Sequence, residues 1–228
     1  MTLPIDMISD VVCPWCLIGK RRLEQAIALR PDMPIELRFR PYFLNPWVPR
    51  EGLSREQYLV TKFGSPERYK PIAARVAKAA AEEGLAYAPE KVTRQPNTLD
   101  CHRLILWAGA SGNAARMKQR LMELYFAEGA DLSDRDTLAK AAAECGLDGD
   151  TIRARLATEE DTARVQHDAD SAKQAGIDGV PCFMFAGVFA VQGAQSPEYL
   201  AQAIDRAARE YAKRQQAAEY ISKGRGAG

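Results

Sequence analysis

At 228 residues the chain can bury a core for one large domain, or for a domain carrying a sizeable insertion, without disulfide or metal staples. Its 31 Lys and Arg nearly cancel its 30 Asp and Glu, which leaves no basic field to recruit nucleic acid or an anionic membrane. The opening MTLPIDMISD has no basic n-region or unbroken apolar run, and no later stretch is apolar enough to span a bilayer, so no membrane contact and a cytoplasmic location are expected.

Leu3, Ile5 and Met7 alternate with their neighbours in a period-2 run that predicts a strand ending at a cysteine pair. From Pro14 the segment LIGKRRLEQAIALR has helical composition, with apolar Leu17, Ile18, Leu23 and Ile27 and a stop at Pro31. Ile35, Leu37 and Phe39 then alternate with Glu36, Arg38 and Arg40 up to Pro41, a half-buried strand. A helix crossing between two strands predicts that they lie parallel.

From about Ser54 to Gly176 helical patterns follow one another, punctuated by glycines 64, 84, 112, 129, 146 and 176 in the manner of C-caps. Ser54 with Gln57 predicts a capping box, Ser65 with Pro66 an N-cap and first helical residue, and Asp134 a further N-cap. No Gly/Ser-rich or Pro-rich linker flanks this block, so it is expected as an all-helical insertion rather than a tethered domain. After Val180 and Pro181, CFMF, the turn AG and VFAVQ predict a hairpin, and Ser196, Pro197 and Glu198 start a last helix with an apolar stripe at Leu200, Ile204, Ala207, Ala208 and Tyr211. The expected fold is α/β: a central four-stranded mixed sheet formed by 1–53 and 177–215, a helical insertion over 54–176, and a flexible tail over 216–228.

The run Cys13, Pro14, Trp15, Cys16 has two readings by spacing, half a zinc site or a dithiol. Zinc needs two further ligands, and Cys101, His102, Cys145, His167 and Cys182 are scattered, so no metal is expected. Thiols stay reduced in the cytosol, and five cysteines at irregular spacing argue against a structural disulfide framework. Cys13 falls at the N-cap of the first helix, where unpaired N–H groups and the helix dipole favour negative charge on its sulfur. Cys16, one turn along, is placed to resolve a mixed disulfide, and Pro14 and Trp15 between them tune the redox balance.

The order of these elements resembles the thioredoxin superfamily. More narrowly, DVVCPWCLIGKRRLE, FLNP at 43–46, NTLDCHRL, GIDGVP and VQGAQSPEYL resemble the FrnE-like branch of the DsbA family, over nearly the whole chain. The resemblance implies a thiol-disulfide oxidoreductase with a thioredoxin-like fold: Cys13 attacks a protein or small-molecule disulfide, Cys16 resolves it, and Pro181 is cis and packs against the pair. Val180 would offer its backbone to an extended peptide or to glutathione, which is admitted as a co-substrate or thiol reductant but not as a bound cofactor. The alternative implied is a glutathione-dependent isomerase or transferase of the kappa or 2-hydroxychromene-2-carboxylate isomerase type. That branch carries a serine where Cys13 stands and an acid near Gln195, so dithiol chemistry is favoured. The remaining substrate-binding candidates are Phe43, Asn45 and Gln195, with Asn97 and His102 where the insertion is expected to roof the site. Trp47 and Trp107, with Phe43, could line a substrate groove, but packing in the core is the favoured expectation for them, and Cys182 is expected to be a buried small hydrophobe facing away from Pro181. A monomer or homodimer is expected.

Overall fold

The computed structural model of the chain describes residues 2–225. Strand β1 (Leu3–Ser9) buries Leu3, Ile5 and Met7, as its alternation demands, and occupies an interior position of a four-stranded sheet of order β2-β1-β5-β6. Its parallel neighbour β2 (Ile35–Pro41) runs in register from Leu3 opposite Ile35 to Ser9 opposite Pro41, and helix α1 (Pro14–Ala28) makes the crossover. On its other side β1 pairs antiparallel with β5 (Cys182–Phe185), and β5 with β6 (Phe189–Gln192). The hairpin turn at Ala186 and Gly187 takes left-handed φ values of 51° and 63°. The last helix, α9 (Pro197–Arg225), packs on α1 and buries Leu200, Ile204 and Ala207.

Seven α-helices lie between β2 and β5: α2 (Arg55–Phe63), α3 (Pro66–Glu82), α4 (Leu99–Gly109), α5 (Ala114–Glu123), α6 (Arg135–Glu144), α7 (Gly149–Leu156) and α8 (Thr162–Gln174). The capping box at Ser54 is complete, Ser65 caps α3 ahead of Pro66, and the Asp134 carboxylate accepts the first N–H groups of α6. The six punctuating glycines all have left-handed φ, between 66° and 90°.

Two features depart from the sequence expectation. The block 54–176 is not wholly helical, because β4 (Arg94–Gln95) pairs antiparallel with β3 (Leu53–Ser54) across its predicted boundary. Two-residue strands carry no periodicity to read. One hydrophobic cluster runs through the block and the sheet, joining Leu104, Trp107, Met117, Leu121 and Phe126 to Met7, Leu17, Leu23 and Phe183. Finally, α9 runs on through Arg225 where a flexible tail was expected from 216, since Ala, Gln, Glu, Lys and Arg sustain a helix without further packing pattern. Residues 226–228, also assigned to that tail, lie outside the described residues.

Candidate active site

β1 ends at Ser9, and a tight turn in which Cys13 N donates to Asp10 O at 3.3 Å brings the chain to α1. Cys13 is extended (φ −90°, ψ 112°) at the N-cap, and Pro14 takes the first helical position, where a missing N–H removes no helical hydrogen bond. Cys13 O accepts from Cys16 N at 3.0 Å and from Leu17 N at 3.3 Å, so the two cysteines stand one turn apart, both as free thiols. Cys16 is fully buried, and desolvation, followed by its neighbour Cys13, pushes its thiol well above the ordinary range, while Lys118 pulls the other way.

Cys13 Sγ donates to Val180 O at 3.5 Å, and the Val180–Pro181 peptide bond is cis. The other wall of this contact is Gly19 on α1, where a Cβ would lie 2.7 Å from Pro181 Cγ and 3.2 Å from Phe183 Cζ. Helix and loop therefore touch through the absence of a side chain. The sequence reading did not single out Gly19, because a helical glycine announces a close approach only once its neighbour is known.

Cys13, Pro14, Trp15 and Val180 form one side of a groove of about 240 Å³. Its other side comes from Arg55, Tyr58 and Lys62 of α2 and from Tyr69, Ile72 and Val76 of α3. The Arg55 guanidinium lies 5.2 Å from the Tyr58 ring centroid and 5.0 Å from that of Tyr69, and Lys62 Nζ sits 5.6 Å from the Tyr58 ring. The groove is thus lined by two cations and no carboxylate. Burial holds the Lys62 amine below the usual lysine range, with Cys13 and Asp10 drawing it back up and Arg55 pushing it down. Tyr125 Oη donates to Gln95 Oε1 at 2.9 Å, and both residues line the groove.

These groove residues were missed, yet both trios share the spacing i, i+3, i+7, which puts each on one face of its helix. A larger cavity of about 430 Å³ lies along β2 and is lined by residues of α4 and α8 as well, but no cysteine lines it.

Of the predicted site residues, Cys13, Pro14, Trp15 and Val180 line the groove, with Pro181 next in the chain and Cys16 behind. Asn45 acts at one remove, its Oδ1 accepting from Lys62 Nζ at 2.6 Å. Phe43, Asn97, His102 and Gln195 are not part of the lining. Phe43 is buried edge-on to His102, with ring centroids 5.7 Å apart. Asn97 donates to Val48 O at 2.7 Å and accepts from Leu99 N at 3.0 Å, which orders the entry to α4. His102 is buried, its Nε2 3.4 Å from Asp10 Oδ1 in an electrostatic contact too poorly aligned to be a hydrogen bond. Gln195 is exposed and its Nε2 donates to Gln192 O at 2.9 Å. The roof expected from Asn97 and His102 is built by α2 and α3 instead, because the start of α4 turns its side chains into the core.

Trp107 is buried and Cys182 lies fully buried with Ile8, Tyr42 and Ile177, whereas Trp47, expected in the core, is 44% exposed and stacked on Tyr58. Among the described residues no group of three or more His, Cys, Asp or Glu converges as a metal site would need.

A four-stranded mixed sheet with a C-x-x-C pair opening the helix after β1, facing the loop that leads into β5, defines a protein of thioredoxin-like fold. The chain belongs to the oxidoreductase family of the DSBA-like thioredoxin domain, whose family model matches residues 4–205. It is similar to a crystallised probable DsbA oxidoreductase from Streptomyces coelicolor, with 31% identity, 91% of each chain covered and a TM-score of 0.81. Its fold is similar to that of the cytosolic disulfide reductase DsbM from Pseudomonas aeruginosa, solved with GSH (19% identity, 93% of this chain and 100% of that one, TM-score 0.61). The uncharacterized protein YwbO of Bacillus subtilis is 26% identical over 206 residues, which span 90% of this chain and 96% of that protein.

Proposed function

We propose that the protein exchanges thiols and disulfides through the Cys13–Cys16 dithiol, as a FrnE-like member of its family. One observation carries the reading: Cys13 stands uncapped at a helix N-terminus, at the edge of a groove and 3.5 Å from a backbone carbonyl that an extended substrate would run beside, with a buried thiol one turn behind it. The Cys13 thiolate attacks a substrate disulfide, a mixed disulfide forms, and Cys16 displaces the second substrate thiol. Two cations and several aromatic rings in the groove favour an apolar or anionic disulfide, from a protein segment or a small molecule such as oxidised glutathione.

A cytoplasmic setting fits this reading, since DsbM is a cytosolic reductase and no described helix is long and apolar enough to cross a membrane. Glutathione or another thiol reductant would then return the pair to the dithiol.

The test is a pair of variants in an insulin-reduction and scrambled-substrate assay. Cys13→Ser is expected to abolish turnover, and Cys16→Ser to accumulate a mixed disulfide detectable by mass. Activity untouched by either change would sink the proposal. Glutathione binding that survives Cys16→Ser, without disulfide reduction, would point to the glutathione-dependent isomerase instead.

A further inference from the structure

Positive and negative charges balance over the whole chain but not over α2 and α3, where residues 55–82 hold six Lys and Arg against three Glu. Helical spacing sorts them. Arg55 and Lys62 share the groove face of α2 with Tyr58. On α3, Arg68 and Arg75 stand at i−4 and i+3 from Ile72, so they border the groove that Ile72 lines. Glu56 and Glu67 fall on the sides of their helices turned away from it, and Glu82 ends α3 about two turns beyond Arg75.

Among the described residues none of these four cations meets a carboxylate. Arg68 and Arg75 are exposed and form no ion pair, Arg55 reaches only the Gln95 amide, at 3.4 Å, and Lys62 gives its hydrogen bond to the Asn45 amide. Arg22 on α1, by contrast, is held by Glu83 at the end of α3 at 2.5 Å. Four uncompensated like charges beside a groove with low-dielectric aromatic walls focus a positive field on its mouth. Beyond Tyr58 the aromatic surface continues outward to Trp47, which is stacked on that ring with planes 12° apart and is 44% exposed. Trp47, Arg68 and Arg75 all lie outside the lining of the groove of about 240 Å³. A disulfide small enough to fit the groove leaves them untouched, whereas a polypeptide crossing it covers them.

We infer that the disulfide partner of Cys13 is a protein segment whose cysteine is flanked by acidic residues, which Arg68 and Arg75 engage outside the groove and Arg55 and Lys62 within it. This rests on the dithiol reading above and names its substrate class. A planar guanidinium takes a carboxylate with two parallel N–H donors, and an apolar side chain of the same segment covers Trp47. Exposed cations act over a Debye length of about 8 Å at physiological salt, so most of the gain lies in the rate of encounter and is removed by added salt.

The test uses short peptides with one central cysteine, carried as its 2-pyridyl disulfide and flanked by glutamates, serines or lysines. Mixed with the reduced full-length chain, the Cys13 thiolate bonds to the peptide sulfur and expels 2-thiopyridone, whose absorbance gives the second-order rate constant. Cys16 then displaces the peptide thiol. At low ionic strength the glutamate peptide is expected to react about tenfold faster than the serine peptide and the lysine peptide about tenfold slower, both ratios falling to about twofold or less at high salt. The double variant Arg68→Gln, Arg75→Gln should remove at least about threefold of the glutamate advantage and leave the rate with uncharged 2,2′-dithiodipyridine within about 1.5-fold. Equal rates for the three peptides, or a glutamate advantage untouched by the double variant, would overturn the inference. So would a double variant that slows the small dianion 5,5′-dithiobis(2-nitrobenzoate) as much as the glutamate peptide, because the surface would then read small anions rather than a protein. Should the double variant fail to fold, the salt dependence of the three wild-type rates decides. A wild type that reacts with none of these disulfides, 2,2′-dithiodipyridine included, would instead remove the dithiol reading beneath the inference.

Discussion

Replacing Gly19 by alanine sets two effects of similar size against each other. In a free helix the change would favour folding by about 1 kcal/mol. Here the new Cβ would lie 2.7 Å from Pro181 Cγ and 3.2 Å from Phe183 Cζ, where carbon atoms prefer roughly 3.5–4.0 Å. Neither neighbour yields easily: Pro181 is a rigid ring whose carbonyl accepts from Gly193 N at 2.8 Å, and Phe183 is fully buried in β5. Overpacking of this kind costs about 1–3 kcal/mol, so the clash should win by about 1 kcal/mol, a fall in Tm of about 2–4 °C for a chain this long. A shift of the Val180–Pro181 segment that relieves part of the clash would move Val180 O away from Cys13 Sγ and should slow capture of a disulfide by Cys13. Gly179→Ala is the control, because its Cβ meets nothing within 4 Å and its φ is not left-handed. Urea unfolding of both variants, with the capture rate measured alongside, gives the answer. A Gly19→Ala protein more stable than wild type, or indistinguishable from Gly179→Ala, would refute the reasoning.

Three further changes bear on different parts of the molecule. Arg103 is fully buried and donates to Asp100 Oδ1 and Glu160 O at 2.7 Å and to Arg155 O and Thr158 O at 2.9 Å; Arg103→Met should destabilise by about 3–5 kcal/mol in urea, and a loss under about 1 kcal/mol would contradict its role as a tie between α4 and the α7–α8 loop. Lys118→Met should do the opposite at pH 7. The folded amine loses its proton near 8 and the unfolded one near 10.5, so the unfolded chain binds more protons between these values and this group's contribution to wild-type stability rises with pH there. The variant should therefore gain up to about 3 kcal/mol at pH 7 and lose that advantage by about pH 10.5, and a gap that stays constant would show the assignment wrong. Lys62→Met should slow capture of an anionic disulfide by up to about tenfold and that of a cationic one by less, read from second-order rate constants; equal effects on both would remove Lys62 from substrate selection.

Much of the fold was legible because local rules and tertiary structure agree. Period-2 alternation in Leu3, Ile5 and Met7 and in Ile35, Leu37 and Phe39 survives because a sheet face must be buried, and the helix between them forces parallel pairing. Caps such as Ser54, Ser65 and Asp134, and the left-handed glycines, are short-range chemistry that needs no distant partner. Tertiary structure alone decided what had no local signature: the two-residue pairing of β3 with β4, the contact of Gly19 with Pro181, and the burial of Lys118.

The placement of the cysteine pair was determined by the sequence itself, since a strand, Cys13 and a proline opening a helix lie within a few residues of one another. The groove was not. Arg55, Tyr58, Lys62, Tyr69, Ile72 and Val76 reach Cys13 from more than forty residues away, and only the packing of α2 and α3 beside the start of α1 chose them over Asn97 and His102. Helical spacing tells which residues share a face, but which face meets the active site depends on how the helices dock, and that is a property of the whole core.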